Sequence, residues 1–371
     1  MRISHLSLQK FRSYDAHVMD FSENNVHVLL GPNGVGKTNI LEAVSLLSLT
    51  KSCHKAEETD IIAWGEDFYR VQGRAHCDNG EEKSFEVVSQ ISPRKQKVCF
   101  VNDVKTPIGE MVGQLPTVIF LPQDLELFTG SPGNRRAFLD QLLCQVSPEY
   151  LQTLMQYQKV LKQRNALLRK ISDGVARRTD LGVWDEKAAE TGTIVMLRRL
   201  ELIEMLQCTL PEELNRLGED WGDAILSYER KGSERTFEAA KQEMLDLLSH
   251  IQERDIIIQS TTIGPHRDDW KILVDDRDIA TFASRGQQRT AVLALLFLQV
   301  SYLELQRGEK PIILLDDVFS ELDDHHQTSL LSSLEAHQVI ITSTHVPTNL
   351  HGAKVWEMEP ALRQQRIAER G

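Results

Sequence analysis

The sequence predicts an α/β fold in two halves, with an antiparallel β subdomain and a helical arm domain inserted between them. Three observations carry this. A strand-like run, "VHVLL" at 26–30, opens directly into a glycine-rich loop and a helix. A second apolar run, "PIILLDD" at 311–317, ends in two carboxylates. Between about 134 and 251 the apolar period becomes helical. Unbroken apolar runs bounded by loop residues are typical of central parallel strands covered on both faces.

Taken in order, residues 2–9 alternate polar and apolar as a half-buried strand does, and 26–30 reads as a fully buried one. The helix "TNILEAVSLLSL" follows at once. From about 60 to 121 the runs "FYRVQGRAHC", "SFEVVSQI", "KVCFVN" and "TVIFL" are separated by Asp-Asn-Gly, Ser-Pro and Pro breaks, a β-rich pattern. Leu154, Tyr157, Leu161, Leu168 and Ile171 then fall at three-four spacing, as do Trp184, Ala188, Thr191, Val195, Leu202 and Met205. The turn-rich "SDGVARRTDLG" between them predicts two antiparallel legs of roughly five to seven turns each. After about 255 the strands "KILVDD", "PIILLDD" and "QVIITST" return, with a strongly apolar helix after the first. The expected organisation is a first lobe at 1–130, the arm domain at 131–255 and completion of the lobe at 256–371.

Composition bounds the function. At 371 residues, 41% hydrophobic and 26% charged, the chain reads as a soluble globular protein of two domains or one large one with an insertion. The N-terminal "MRISHLSLQKF" lacks the apolar centre of a signal peptide, and no apolar run approaches the ~20 residues that span a bilayer. Cys53, Cys77, Cys99, Cys144 and Cys208 are scattered without a CxxC pair, which predicts reduced thiols in a cytoplasmic protein and no metal site built from them. A net charge of −12 argues mildly against nucleic acid, although a local basic patch can still bind phosphate.

Gly31-Pro32-Asn33-Gly34-Val35-Gly36-Lys37-Thr38 fits GxxxxGK[ST] after a strand and before a helix, the context that motif needs. Its glycines let backbone N–H groups curl around phosphates, and the helix N-terminus adds positive potential. Lys37 is expected to reach the β- and γ-phosphates of ATP, and Thr38 to ligate Mg2+. Asp316 and Asp317 end a buried strand, where ligands of open α/β sheets gather; Asp316 is the expected Mg2+ partner and Asp317 could hold the attacking water. Gln123 and His345 also follow strand ends. Ser284, Gly286 and Gln287 stand where an apolar helix begins, which is a capped helix start and equally an anion trap.

The order of these pieces resembles the ATP-binding-cassette ATPases, whose "LSGGQ" signature is similar to Ala283-Ser284-Arg285-Gly286-Gln287. The resemblance implies a P-loop ABC-type ATPase head in which Ser284, Gly286 and Gln287 meet the γ-phosphate held by a second copy. It also implies a metal-binding and catalytic role for Gln123 and a catalytic role for His345. More narrowly, "LQKFRSYDAHVMDF", "FLPQDLELFTGSPGNRRAFLDQLL", "TTIGPHRDDW", "SRGQQRT" and "ILLDDVFSELD" resemble the RecF family of SMC-like DNA-repair ATPases, from the first strand to about residue 345. That likeness implies an ATP-dependent homodimer in the cytoplasm, associated with the nucleoid. It would bind single-stranded or gapped DNA and its junctions, partner RecR, with RecO and RecA downstream, and serve replication-fork maintenance and SOS induction.

Two departures from the cassette pattern matter. Asp317 stands where a Glu is usual, and a carboxylate set back by about 1 Å can cost on the order of 10²-fold in rate, so slow hydrolysis is expected. Arg285 replaces a small Gly and either reaches a phosphate or faces solvent. The stretch Gly264–Asp269 is either a turn held by local Asp–Arg contacts or a family feature of underived role.

Candidate phosphate-tracking cations are Lys162, Arg164, Arg169, Lys170, Arg177 and Arg178 on the arm, residues 92–97, and Arg135 with Arg136. No aromatic platform accompanies them, so backbone contact rather than base stacking is indicated. The motor subunit of a membrane transporter carries the same motifs and is the alternative. A small-molecule kinase is weaker, since it leaves Ser284, Gln287 and His345 without work. The roughly 245 residues between Thr38 and Ser284 exceed a transporter cassette's interval and favour the SMC-like branch, whose full coiled coils are nevertheless far longer than this arm.

Overall fold

The helix after the glycine loop, Lys37–Leu49, carries no polar stripe: Ile40, Leu41, Ala43, Val44, Leu46 and Leu47 are buried, and so are Glu42, Ser45 and Ser48. A helix buried around its circumference needs cover on both sides. In the computed structural model, which describes residues 1–322, 324–345 and 352–359, two sheets supply it. One is five-stranded and wholly parallel, in the order Lys354–Glu357, Val26–Leu30, Val339–Ser343, Ile312–Asp316, Thr117–Phe120. The other is six-stranded and antiparallel, in the order Tyr14–Asp20, Arg2–Phe11, Phe68–His76, Glu82–Gln90, Gln96–Val101, Val104–Thr106.

One apolar core joins the three layers, running from Leu6, Leu8, Tyr69, Val71 and Val87 of the antiparallel sheet through the helix to Leu29, Leu314 and Ile340 of the parallel one. Each fully buried Leu or Ile there contributes about 1.5–3 kcal/mol relative to exposure. The helix lies so close to the antiparallel sheet that a Cβ on Gly73 would stand 2.5 Å from Leu47 Cδ1. "TVIF", grouped with the β-rich run on sequence, joins the parallel sheet instead: it is buried at every position and pairs with Ile312–Asp316.

The chain divides into two units, Met1–Leu125 with Arg289–Gly371, and Glu126–Gln288. The second boundary falls inside the helix Arg285–Arg307, so residues 256–288, expected with the first lobe, belong to the second unit. Two helices of 25 and 26 residues, Pro148–Ser172 and Gly182–Gln207, form the predicted pair of legs, each about seven turns. Pro132–Val146 and Phe237–His250 pack with them. A three-stranded antiparallel sheet, Arg277–Asp278, Asp269–Val274 and Ile225–Glu229, completes the unit. The strand Ile225–Glu229 lies inside the stretch read as helical; it is set by pairing with Asp269–Leu273 rather than by a local pattern.

Candidate nucleotide site

Because the five strands run parallel, their C-terminal ends share one edge, and the register there pairs Asp316 with Thr342 and Leu30 with Ser343. Gly34 and Gly36 adopt φ of 83° and 109°, the left-handed region that glycine enters without penalty. A Cβ on Gly36 would also meet Tyr14 Oη at 2.7 Å, so the loop lies directly against the hairpin that precedes it. Tyr14 donates to Gly36 O at 3.2 Å, and Asn39 Nδ2 donates to Ser13 Oγ at 3.1 Å.

Lys37 folds back over the loop, donating to Gly31 O at 2.6 Å and Pro32 O at 2.9 Å. Burial lowers its pKa, while Asp317 and Asp316 oppose that shift. Thr38 Oγ1 donates to Asp316 Oδ1 at 2.8 Å, and Thr342 Oγ1 donates to the same oxygen at 2.7 Å. Asp317 takes a left-handed φ of 47°, with its N–H donating to Thr342 Oγ1 at 2.9 Å. The sheet thus brings Lys37, Thr38, Asp316 and Asp317 together. Gln123 and His345 lie exposed beyond their strands and are not hydrogen-bonded to Thr38 or Asp316. Ser343 Oγ bonds the His345 backbone at both its N–H and its carbonyl. Residue 323 of "SELD" lies outside the described residues, as do the side chains of 320 and 321.

The donor set suits Mg2+. Two oxygens that share a cation at about 2.1 Å on adjacent octahedral vertices stand about 3 Å apart, close to the 2.8 Å between Thr38 Oγ1 and Asp316 Oδ1.

Sequence reasoning assigned no role to Arg12, which binds the buried Glu42 of the loop helix. Its guanidinium donates to both carboxylate oxygens of Glu42, at 2.7 and 2.6 Å, and to Asp60 O at 2.8 Å. Glu42, 1% exposed, also accepts from Ser52 Oγ. Nothing local in "KFRSYD" signals this partner, thirty residues away. Beside Gln123, burial pushes the Asp124 carboxyl up to about 6, against the pull of the Leu121 N–H. Burial likewise raises the Cys53 thiol to about 12, leaving it unreactive.

In the second unit, Ser284 and Gln287 form a reciprocal cap: Ser284 N donates to Gln287 Oε1 at 3.0 Å, and Gln287 N to Ser284 Oγ at 3.2 Å. Ser284, Arg285 and Gly286 are exposed at this helix mouth. The capped start read from the sequence is therefore present, with Ser284 at its exposed end.

Three of the candidate cations are corrected. Arg164 is fully buried, bound to Asp185 at 2.7 Å, Asp255 at 2.6 Å and Thr261 at 2.9 Å. Arg135 pairs with both oxygens of Asp269, at 2.8 and 2.7 Å, and Arg136 donates to Asp268 O at 2.7 Å. Helical periodicity shows which positions face inward but not that an arginine among them will meet buried carboxylates. Lys162, Arg169, Lys170 and Arg177 are exposed.

The same contacts give Gly264–Asp269 a structural role as the hub of the second unit. Tyr157 Oη lies 2.7 Å from His266 Nδ1, and Arg199, itself clamped to Asp140, donates to Pro265 O at 2.6 Å. His266 Nε2 faces Thr261 O at 2.9 Å and so carries the proton, leaving Nδ1 to accept from Tyr157. Tyr228 donates to Asp268 Oδ2 at 3.0 Å. Gly264, at φ 126°, leaves room for Tyr157 Oη only 2.5 Å from where a Cβ would stand.

A glycine phosphate loop and an acid-ended strand on one parallel sheet, with an interrupting helical unit and a capped signature-like helix, define a phosphate-loop head of the SMC type. The model of the RecF/RecN/SMC N-terminal domain matches residues 2–361, and the chain belongs to that family, within it to the RecF DNA replication and repair proteins. It is 36% identical over 359 residues to the DNA replication and repair protein RecF of Exiguobacterium sp., covering 95% of this chain and 94% of that protein. A solved structure of the recombination mediator protein RecF with ATP, from the RecFOR pathway, superposes with a TM-score of 0.87 at 31% identity. That match covers 97% of this chain and 96% of the other. The Smc head domain with an extended coiled coil, derived from Pyrococcus furiosus, shares the fold alone, at 14% identity and a TM-score of 0.51 over 100% of this chain and 99% of that one.

Proposed function

We propose that this chain is an ATP-driven switch of recombinational DNA repair: two copies close on ATP, and the closed pair grips single-stranded or gapped DNA and its junctions. The Thr38–Asp316 hydrogen bond carries the reading, because it brings the phosphate-loop hydroxyl and the acid-ended strand's carboxylate, the two oxygens that would hold Mg2+, to one point. The similar RecF structure with ATP, from the RecFOR pathway, supports both the nucleotide and the pathway, in which RecR and RecO would act alongside and RecA downstream. Membership of the RecF proteins sets the transporter alternative aside.

Each residue then has a task. The N–H groups of 31–38 hold the phosphates, and Lys37 exchanges the carbonyls of Gly31 and Pro32 for phosphate oxygens. Thr38 and Asp316 would hold Mg2+, with Gln123 as the further ligand from its strand end, and the bound ion would supply charge neutralisation at the phosphates. Asp317 orients the attacking water, its short side chain keeping turnover slow enough for ATP to act as a switch. Ser284, Gly286 and Gln287 of the second copy complete the site, and His345 approaches the γ-phosphate. Exposed arm cations, among them Lys162, Arg169, Lys170 and Arg177, contact DNA phosphates without reading sequence.

Fluorescence anisotropy of a labelled gapped duplex tests this. Wild type should hold the DNA with a non-hydrolysable ATP analogue, release it with ADP, and lose the difference in Ser284→Arg. Equal affinity in all three conditions would refute the proposal.

A further inference from the structure

The side-chain amide of Gln287 is held at both ends. Its Oε1 accepts from Ser284 N at 3.0 Å, while its Nε2 donates to Glu219 Oε2 at 3.2 Å. Glu219 is itself fixed at the backbone. The turn after the helix Leu210–Arg216 places Gly218 at φ 93° and ties Glu219 N to Leu214 O at 3.0 Å. Trp221 N donates to Glu219 O at 3.0 Å, and the Trp221 ring, 7% exposed, packs 6.4 Å from Phe282, two residues before Ser284. Arg277 covers the Phe282 ring at 4.8 Å.

We infer that Glu219 is a positioning residue for the signature mouth. With Gln287 pinned, the Ser284 hydroxyl accepts the Gln287 N–H and keeps its own proton to donate outward. Without Glu219 the amide regains rotamers, the Ser284 N–H loses its acceptor, and the mouth presented to the second copy's γ-phosphate loosens. The carboxylate acts through Gln287 and touches no nucleotide. This rests on the shared-site reading proposed above.

Sedimentation velocity of the full chain, with and without a non-hydrolysable ATP analogue, tests it in wild type, Glu219→Ala, Glu219→Gln and Ser284→Arg. Fluorescent-nucleotide titration at low protein concentration reports the phosphate loop separately, and circular dichroism reports folding. Glu219→Ala should weaken the nucleotide-dependent dimer about tenfold, roughly 1.4 kcal/mol, with monomer affinity for nucleotide and folding unchanged. Glu219→Gln, whose amide oxygen can still accept from Gln287, should restore it. Dimers intact in Glu219→Ala but lost in Ser284→Arg overturn this inference alone. Stronger dimers in both Glu219 variants also overturn it, since the carboxylate would then act only by repelling phosphate. Wild type that stays monomeric overturns the shared-site reading and this inference together.

Discussion

Thr38 Oγ1 donates a 2.8 Å hydrogen bond to Asp316 Oδ1 across 278 residues of sequence. The strand Val339–Ser343 lies between the two strands that deliver them, and its Thr342 donates to the same carboxylate oxygen. Two hydroxyls therefore hold one carboxylate oxygen at the loop.

Thr38→Val removes one of those hydroxyls at nearly constant volume. Calorimetric titration should show Mg2+-ATP affinity reduced tenfold or more, about 1.4 kcal/mol, while affinity for ATP with EDTA changes little. An equal loss in both conditions would place Thr38 outside the metal site.

Arg12→Ala leaves the nearly buried Glu42 carboxylate without its bidentate partner. Removing one side of a buried ion pair costs about 3 kcal/mol or more. Arg12 is 22% exposed, which places the expected loss in urea denaturation at the low end of that range. A variant within 0.5 kcal/mol of wild type, on the order of an ordinary surface change, would contradict the pairing.

Arg164→Ala should destabilise the second unit by about 3 kcal/mol or more, because Asp255 is fully buried beside it. Lys170→Ala should leave stability within about 0.5 kcal/mol and weaken DNA binding, lowering the salt slope by about one. Urea denaturation with DNA titration across a salt series separates the two. A stable Arg164→Ala with weakened DNA binding would return that arginine to the surface.

His266 and Asp268 titrate with opposite signs. Burial lowers the His266 ring from 6.5 to about 4, so the stability of its neutral form is present above pH 6.5 and is lost as pH falls towards 4. Burial raises Asp268 from 3.8 to about 6, so its contribution is fully present below 3.8 and is lost as pH rises through 6. Each spans at most about 3 kcal/mol, and between pH 4 and 6 they offset. Relative to wild type, Asp268→Asn should lose stability on acidification across that window and His266→Gln should gain it. Chemical denaturation at stepped pH reads both, and parallel profiles for all three proteins would contradict the assignment.

The phosphate loop, the acid-ended strand and the paired helical legs were legible because each is written locally, in glycine spacing, in an unbroken apolar run, or in three-four periodicity. Arg12 with Glu42 and Arg164 with Asp255 were not, since both pairs depend on elements that meet only in the folded chain. The strand Ile225–Glu229 failed for a related reason: its partner lies some forty residues downstream and its own burial pattern does not alternate. Gln123 and His345 were placed at the correct strand ends, but their exposed side chains give sequence or fold no means of fixing their contacts.

A triphosphate site completed by two copies is tested most directly by sedimentation of wild-type protein at saturating non-hydrolysable ATP with bound nucleotide counted. A dimer carrying two nucleotides is the predicted result. A monomer carrying one would contradict it.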